Sequence, residues 1–113
     1  MPSQVFAKLI KKEKLLEGLY KFSVEAKEIV DVAKKMPGVA DCGVIPMADQ
    51  FKGNVPKIFV LMEIGSQFAS VAIRTFLANN LEPYKVPVYI EEIDQIPRSY
   101  NGKLLRKELI HRR

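Results

Sequence analysis

Lys57-Ile58-Phe59-Val60-Leu61-Met62-Glu63-Ile64 runs with almost no polar interruption. A half-exposed strand alternates apolar with polar residues, so this unbroken run reads as a strand buried on both faces. Before it, Val39 to Pro46 is small, apolar and partly β-branched and reads as a second strand. The polar stretch Met47 to Pro56, with Asp49, Gly53 and Asn54, reads as the loop joining them.

Helical spacing appears on either side of this pair. Ala26, Ile29, Val30 and Ala33 recur on one face after Ser23, whose hydroxyl can cap a helix start. That helix is expected to stop near Lys35, where Met36-Pro37-Gly38 removes a donor and permits a turn. After Gly65, Ser66 is read as the cap of a second helix with Phe68, Val71, Ala72 and Phe76 on one face, ending at Asn79-Asn80. Val86 to Ile93 is read as a third strand, Pro97 to Gly102 as turn-rich and Leu104 to Ile110 as a last short helix. The order helix, strand, strand, helix, strand, helix predicts an α+β fold, a small three-stranded sheet flanked by helices. Phe6 to Phe22 mixes apolar residues with lysines, and a short hairpin or irregular lead-in suits it as well as a helix.

At 113 residues the chain fits one domain. The single cysteine, Cys42, can form no internal disulfide, and with a single histidine there is no Cys/His set for structural zinc. No metal site is expected, and a reducing, cytoplasmic setting is. No apolar stretch reaches the roughly 20 residues of a membrane span. The start Met1-Pro2-Ser3-Gln4 lacks the regions of a secretory signal. A net charge of +5 suits phosphate-bearing partners without choosing among nucleic acid, anionic lipid, ATP and coenzyme A. No interleaved glycine and aromatic pattern of an RNA-binding sheet is present, and no DNA-reading helix, so nucleic acid is not expected as a partner.

The stretch that carries chemistry is Ile96-Pro97-Arg98-Ser99-Tyr100-Asn101-Gly102-Lys103-Leu104-Leu105-Arg106-Lys107-Glu108-Leu109. It resembles the C-terminal signature of the adenylate-forming superfamily of acyl-CoA synthetases, aryl-CoA ligases, luciferases and peptide-synthetase adenylation domains. That pattern is Pro, a basic residue, a small polar residue, any residue, Asn or Ser, Gly, Lys, an aliphatic residue, then Arg and Leu. Leu81 to Ile90, with Tyr84-Lys85 and Pro87, is similar to the family's approach to the signature, and Met36 to Val44 to its helix-to-strand turn. Gly18 to Ile29 resembles its glycine and aromatic stretch, with Leu19 where an aromatic residue is common.

The resemblance implies that Lys103 is the catalytic lysine, on an active-site loop with Ser99, Asn101 and Gly102. Attack of a carboxylate on the α-phosphate of ATP brings two anions together, and a fixed cation near both lowers the barrier. A lone lysine before a helix would otherwise read as a solvated turn residue. Gly102 permits backbone angles closed to other residues, and Asn101 can stabilise the turn or cap the last helix. Arg106 suits a surface role as well as a functional one. Gly18, Leu19 and Tyr20 would lie on the side serving coenzyme A and its pantetheine arm, although Gly18 also fits a plain turn.

The same resemblance divides the chain into a hinge remnant or lead-in over residues 1–17 and a C-terminal mobile domain over residues 18–113. Its partner would be a large N-terminal adenylation domain, in cis or in trans, that binds most of ATP and Mg2+ and selects the carboxylic acid. Without it the chain is expected to be inert. Coenzyme A is preferred as acceptor. A fragment serving a carrier protein and a non-catalytic basic interaction module are the alternatives.

Overall fold

A computed structural model describes residues 22–51 and 53–112. The expected lead-in before Phe22 lies outside them.

Helix α1 runs through residues 22–33. Ser23 lies within it and is not its cap. Ala26, Ile29 and Ala33 are buried, as their spacing predicts. The helix ends in a tightened turn, with Lys35 N–H donating to Val32 O and Met36 N–H to Ala33 O. Gly38 then reverses the chain at φ 93°.

Strand β1 (Val39–Asp49) pairs antiparallel with β2 (Gly53–Met62), from Val39↔Met62 to Asp49↔Gly53. The expected loop Met47 to Pro56 is therefore mostly paired strand, and the connection shrinks to a tight turn. Asp49 Oδ2 accepts the Phe51 N–H at 3.1 Å, and Gly53 adopts φ 81°. Backbone pairing satisfies these polar residues without burial, which is why an apolar pattern did not mark them.

The register shifts between Val39 and Asp41, inserting one residue in β1. Val39, Cys42 and Val44 thereby share a core with α1 despite the odd spacing from 39 to 42. Asp41 goes to the face it shares with Gly43 and Ile45.

Helix α2 is Ser70–Asn80, starting four residues after the expected cap Ser66. Ala69 holds the cap position without a side-chain bond. Phe68 therefore lies before the helix and does not mark its face, which buries Ile73 and Leu77 and leaves Val71 74% exposed. A short 3₁₀ turn, Pro83–Lys85, precedes β3 (Tyr89–Glu92), which pairs parallel to β2 from Lys57↔Tyr89 to Val60↔Glu92. This strand is shorter than the expected Val86 to Ile93, because the 3₁₀ turn occupies the approach and Pro87 has no N–H to donate. Helix α3 is Arg106–Arg112. The sheet order is β1-β2-β3.

The centre of β2 is buried from Lys57 to Val60. Ile58 and Val60 join the core beneath α1 and α2, while Phe59 joins Ile45, Ile93, Ile96 and Leu109 on the other face. Lys57 is 6% exposed, with its Nζ 4.7 Å from the centre of the Phe59 ring and 3.2 Å from Glu91 Oε1. The α+β architecture expected from the element order is the one observed.

Candidate functional site

After the second core closes at Ile96, the chain leaves the body and returns to it over Arg98 to Leu104. Arg98 and Leu104 form an antiparallel bridge, Ser99 N–H donates to Lys103 O at 2.9 Å and Gly102 N–H to Ser99 O at 2.9 Å. Leu105 N–H donates to Pro97 O at 2.9 Å and closes the base. Gly102 has φ 85° and nothing within 4 Å of the place a Cβ would take. Glycine is required there for its backbone angle and not for space.

The side chains of the turn reinforce it. Ser99 and Asn101 are joined through Oγ and Oδ1, and Ser99 Oγ also accepts the Lys103 N–H at 3.2 Å. Asn101 therefore stabilises the turn and does not cap α3, which begins at Arg106. Tyr100 at the tip is 104% exposed. The Lys103 side chain is exposed too, and no described residue pairs with it.

Two contacts seat this hairpin on β1. Gly43 leaves room for Leu104 and Leu109, since a Cβ there would lie 3.0 Å from Leu104 Cδ1 and 3.1 Å from Leu109 Cδ1. Arg98 places Nε 2.9 Å from Asp41 Oδ2 and Nη2 2.7 Å from Asp41 Oδ1, a bidentate ion pair. Its remaining Nη1 donates to Gly102 O at 2.9 Å. Asp41 Oδ1 also accepts the Cys42 N–H at 2.8 Å and lies 3.4 Å from Lys34 Nζ. Partial burial alone would raise the Asp41 carboxyl, but the Arg98 and Cys42 hydrogen bonds and the Arg98 and Lys34 charges hold it below its usual value. Burial pushes the Cys42 thiol up to about 12, so it is an inert core group.

Sequence reading singled out Ser99, Asn101, Gly102 and Lys103, and all four stand on this hairpin. It missed Asp41 and Gly43. Arg98 stood in the quoted signature as its basic residue, but its partner is 57 residues away and nothing local marks the pair. Arg106 faces elsewhere, with its guanidinium 5.8 Å from the centre of the Phe22 ring. Gly18, Leu19 and Tyr20 lie outside the described residues. Among the described residues, no cluster of His, Cys, Asp and Glu is arranged to hold a metal ion.

Fold and hairpin together define a small α+β domain that displays a lysine on a turn pinned to its sheet. Residues 28–103 match the family described as the AMP-binding enzyme C-terminal domain, and the chain belongs to that family. The match ends on Lys103.

The chain is 32% identical over 89 residues to the 4-coumarate–CoA ligase-like 5 protein of Oryza sativa subsp. japonica, covering 79% of this chain and 16% of that protein. It is 32% identical over 93 residues to the 2-succinylbenzoate–CoA ligase of Staphylococcus aureus, covering 82% and 18%. Among solved structures, a Mycobacterium tuberculosis fatty acyl CoA synthetase superposes with TM-score 0.67 at 28% identity over 73% of this chain and 16% of that one. A double mutant of the Bacillus subtilis o-succinylbenzoate CoA synthetase gives TM-score 0.71 at 27% identity, covering 78% and 18%. The chain thus spans less than a fifth of the length of the curated relatives it matches.

Proposed function

We propose that this domain supplies Lys103 to the acyl-adenylate-forming step of a carboxylate–CoA ligase, acting with a large adenylation domain in cis or in trans. The observation that carries the reading is the Lys103 side chain itself. It is exposed and unpaired among the described residues, on a turn held by three backbone bonds and an ion pair, at the position where the family match ends.

In the reaction, a carboxylate oxygen attacks the α-phosphorus of ATP and the bond to the bridging oxygen breaks. Pyrophosphate leaves with that electron pair, and no proton changes hands. Two anions meet as charge builds on the transferred group, and a positioned ammonium offsets both. The hairpin fits the anionic part of the nucleotide and not its Mg2+, because it brings a cation and no carboxylate cluster. Mg2+ and the adenine therefore belong to the large domain, as does the pocket that selects the acid.

In the second step a thiol replaces AMP on the acyl carbon. The CoA ligases among the relatives favour coenzyme A as that thiol. In this reading Gly18, Leu19 and Tyr20 serve the thiol side, residues 1–17 are lead-in or hinge, and residues 18–113 swing as a unit between the steps. The buried, reduced Cys42 suits a cytoplasmic setting. No described helix is long and apolar enough to cross a membrane.

The test is ATP–pyrophosphate exchange by the chain combined with its adenylation domain. Lys103→Ala should lower the rate by about 100-fold or more, as removal of one transition-state donor does. Exchange indifferent to that change would sink the reading, and exchange by the chain alone would overturn its dependence on a large domain.

A further inference from the structure

We infer that Asp41 is a positioning residue for Lys103, acting through Arg98. This rests on the adenylation reading of Lys103 and adds a device the signature does not contain. The bonds within the hairpin, Gly102 to Ser99 and Ser99 to Lys103, fix its shape. They do not fix its direction relative to the sheet.

Direction comes from Arg98. Its Nε and Nη2 grip both oxygens of Asp41 on β1, and its Nη1 holds Gly102 O, the carbonyl of the peptide that joins Gly102 to Lys103. A guanidinium is planar and rigid, so one group ties the plane of that peptide to the strand. The irregularity between Val39 and Asp41 is what aims the carboxylate at the hairpin and not into the helical core. Lys34 reaches Asp41 from the turn that ends α1, with a side chain 46% exposed, and adds little by comparison.

A lysine that must meet a reacting group on a second body gains from such aim, since a misplacement of about 1 Å can cost up to about 100-fold in rate. Asp41 touches no substrate in this scheme. It decides where the cation points.

Asp41→Asn tests this without removing the Cys42 acceptor, because Asn Oδ1 can still take that N–H. In the full chain, amide hydrogen exchange at Ser99 and Gly102 should quicken about three- to tenfold in Asp41→Asn and in Arg98→Lys, with β2 amides unchanged. Combined with the adenylation domain, each variant should lower kcat for pyrophosphate exchange about tenfold, with KM for ATP altered less than about twofold. Thioester formation from supplied acyl-adenylate should stay at the parent rate. The double variant should be no worse than either single one, since the two side chains act as one unit.

Unchanged hairpin exchange, or equal slowing of both half-reactions, would overturn the assignment. Lys103→Ala run beside it separates the two ideas. Should that change leave pyrophosphate exchange intact, the adenylation reading falls, and the amide measurement alone decides whether Asp41 aims the hairpin.

Discussion

The middle of β2 and the Arg98 to Leu104 hairpin are held in opposite ways. Lys57 to Val60 is covered on both faces, and its order comes from packing. The hairpin has an exposed tip, and its order comes from a few directed polar bonds and one leucine seated on a glycine. Packing is strong and tolerant of small adjustments, whereas directed bonds are weaker but fix orientation. A fold needs the first kind of order. A lysine proposed to act on another body needs the second.

Phe59→Ala should show the largest effect of breaking this contrast. Phe59 is 0% exposed and anchors the core beneath α3. Its truncation should cost about 3 to 5 kcal/mol, read from urea unfolding of the chain. A loss below about 1 kcal/mol would mean that this face of β2 does not anchor the domain.

Gly43→Val comes next and probes the seam between the two regions. Even a single added carbon would press on Leu104 and Leu109, and a branched side chain must displace at least one of them. A loss of about 1 to 3 kcal/mol is expected, with faster amide exchange at Leu105 than in the β1–β2 ladder. Loosening of the ladder first would show that the hairpin is not seated through this glycine.

The two kinds of order also explain what could be read from sequence. Lys57 to Val60 announces a strand because burial on both faces leaves a direct mark in composition, whereas the same apolar run overshoots at its end, since β2 stops at Met62 and Ile64 is 106% exposed. The distal part of the β1–β2 hairpin reads as a loop because Asp49, Gly53 and Asn54 are paired by backbone and not by packing, and the buried Val55 alone makes no apolar pattern. The buried face of α2 differs from the expected one because Phe68 lies before the helix and cannot mark its face, while Ile73 and Leu77 fit the i, i+4 spacing as well as the residues read from it. The turn that carries Lys103 was legible, since Pro97 to Gly102 reads as turn-rich and the hairpin stands there. Asp41 was not, since an aspartate near the start of a strand is common and only the fold brings it to Arg98.

The smallest effect sharpens the contrast most, because it isolates the polar half. The Asp41 carboxyl is held below its usual value, so in the folded state it binds its proton at a lower pH than in the unfolded chain. Its contribution to stability is therefore complete above the unfolded value of about 3.9 and disappears as pH falls through the folded one. The pair is partly open to solvent, with side-chain exposures of 30% for Arg98 and 21% for Asp41, so the contribution should stay under about 1 kcal/mol. Comparing urea midpoints at about pH 6 and about pH 3 for the parent and Asp41→Asn isolates it, because the variant cannot titrate at this position. The difference between parent and variant should shrink at the lower pH. A difference that stays constant would mean that Asp41 contributes through shape and not through charge, and the hairpin would then be held by the same kind of order as β2.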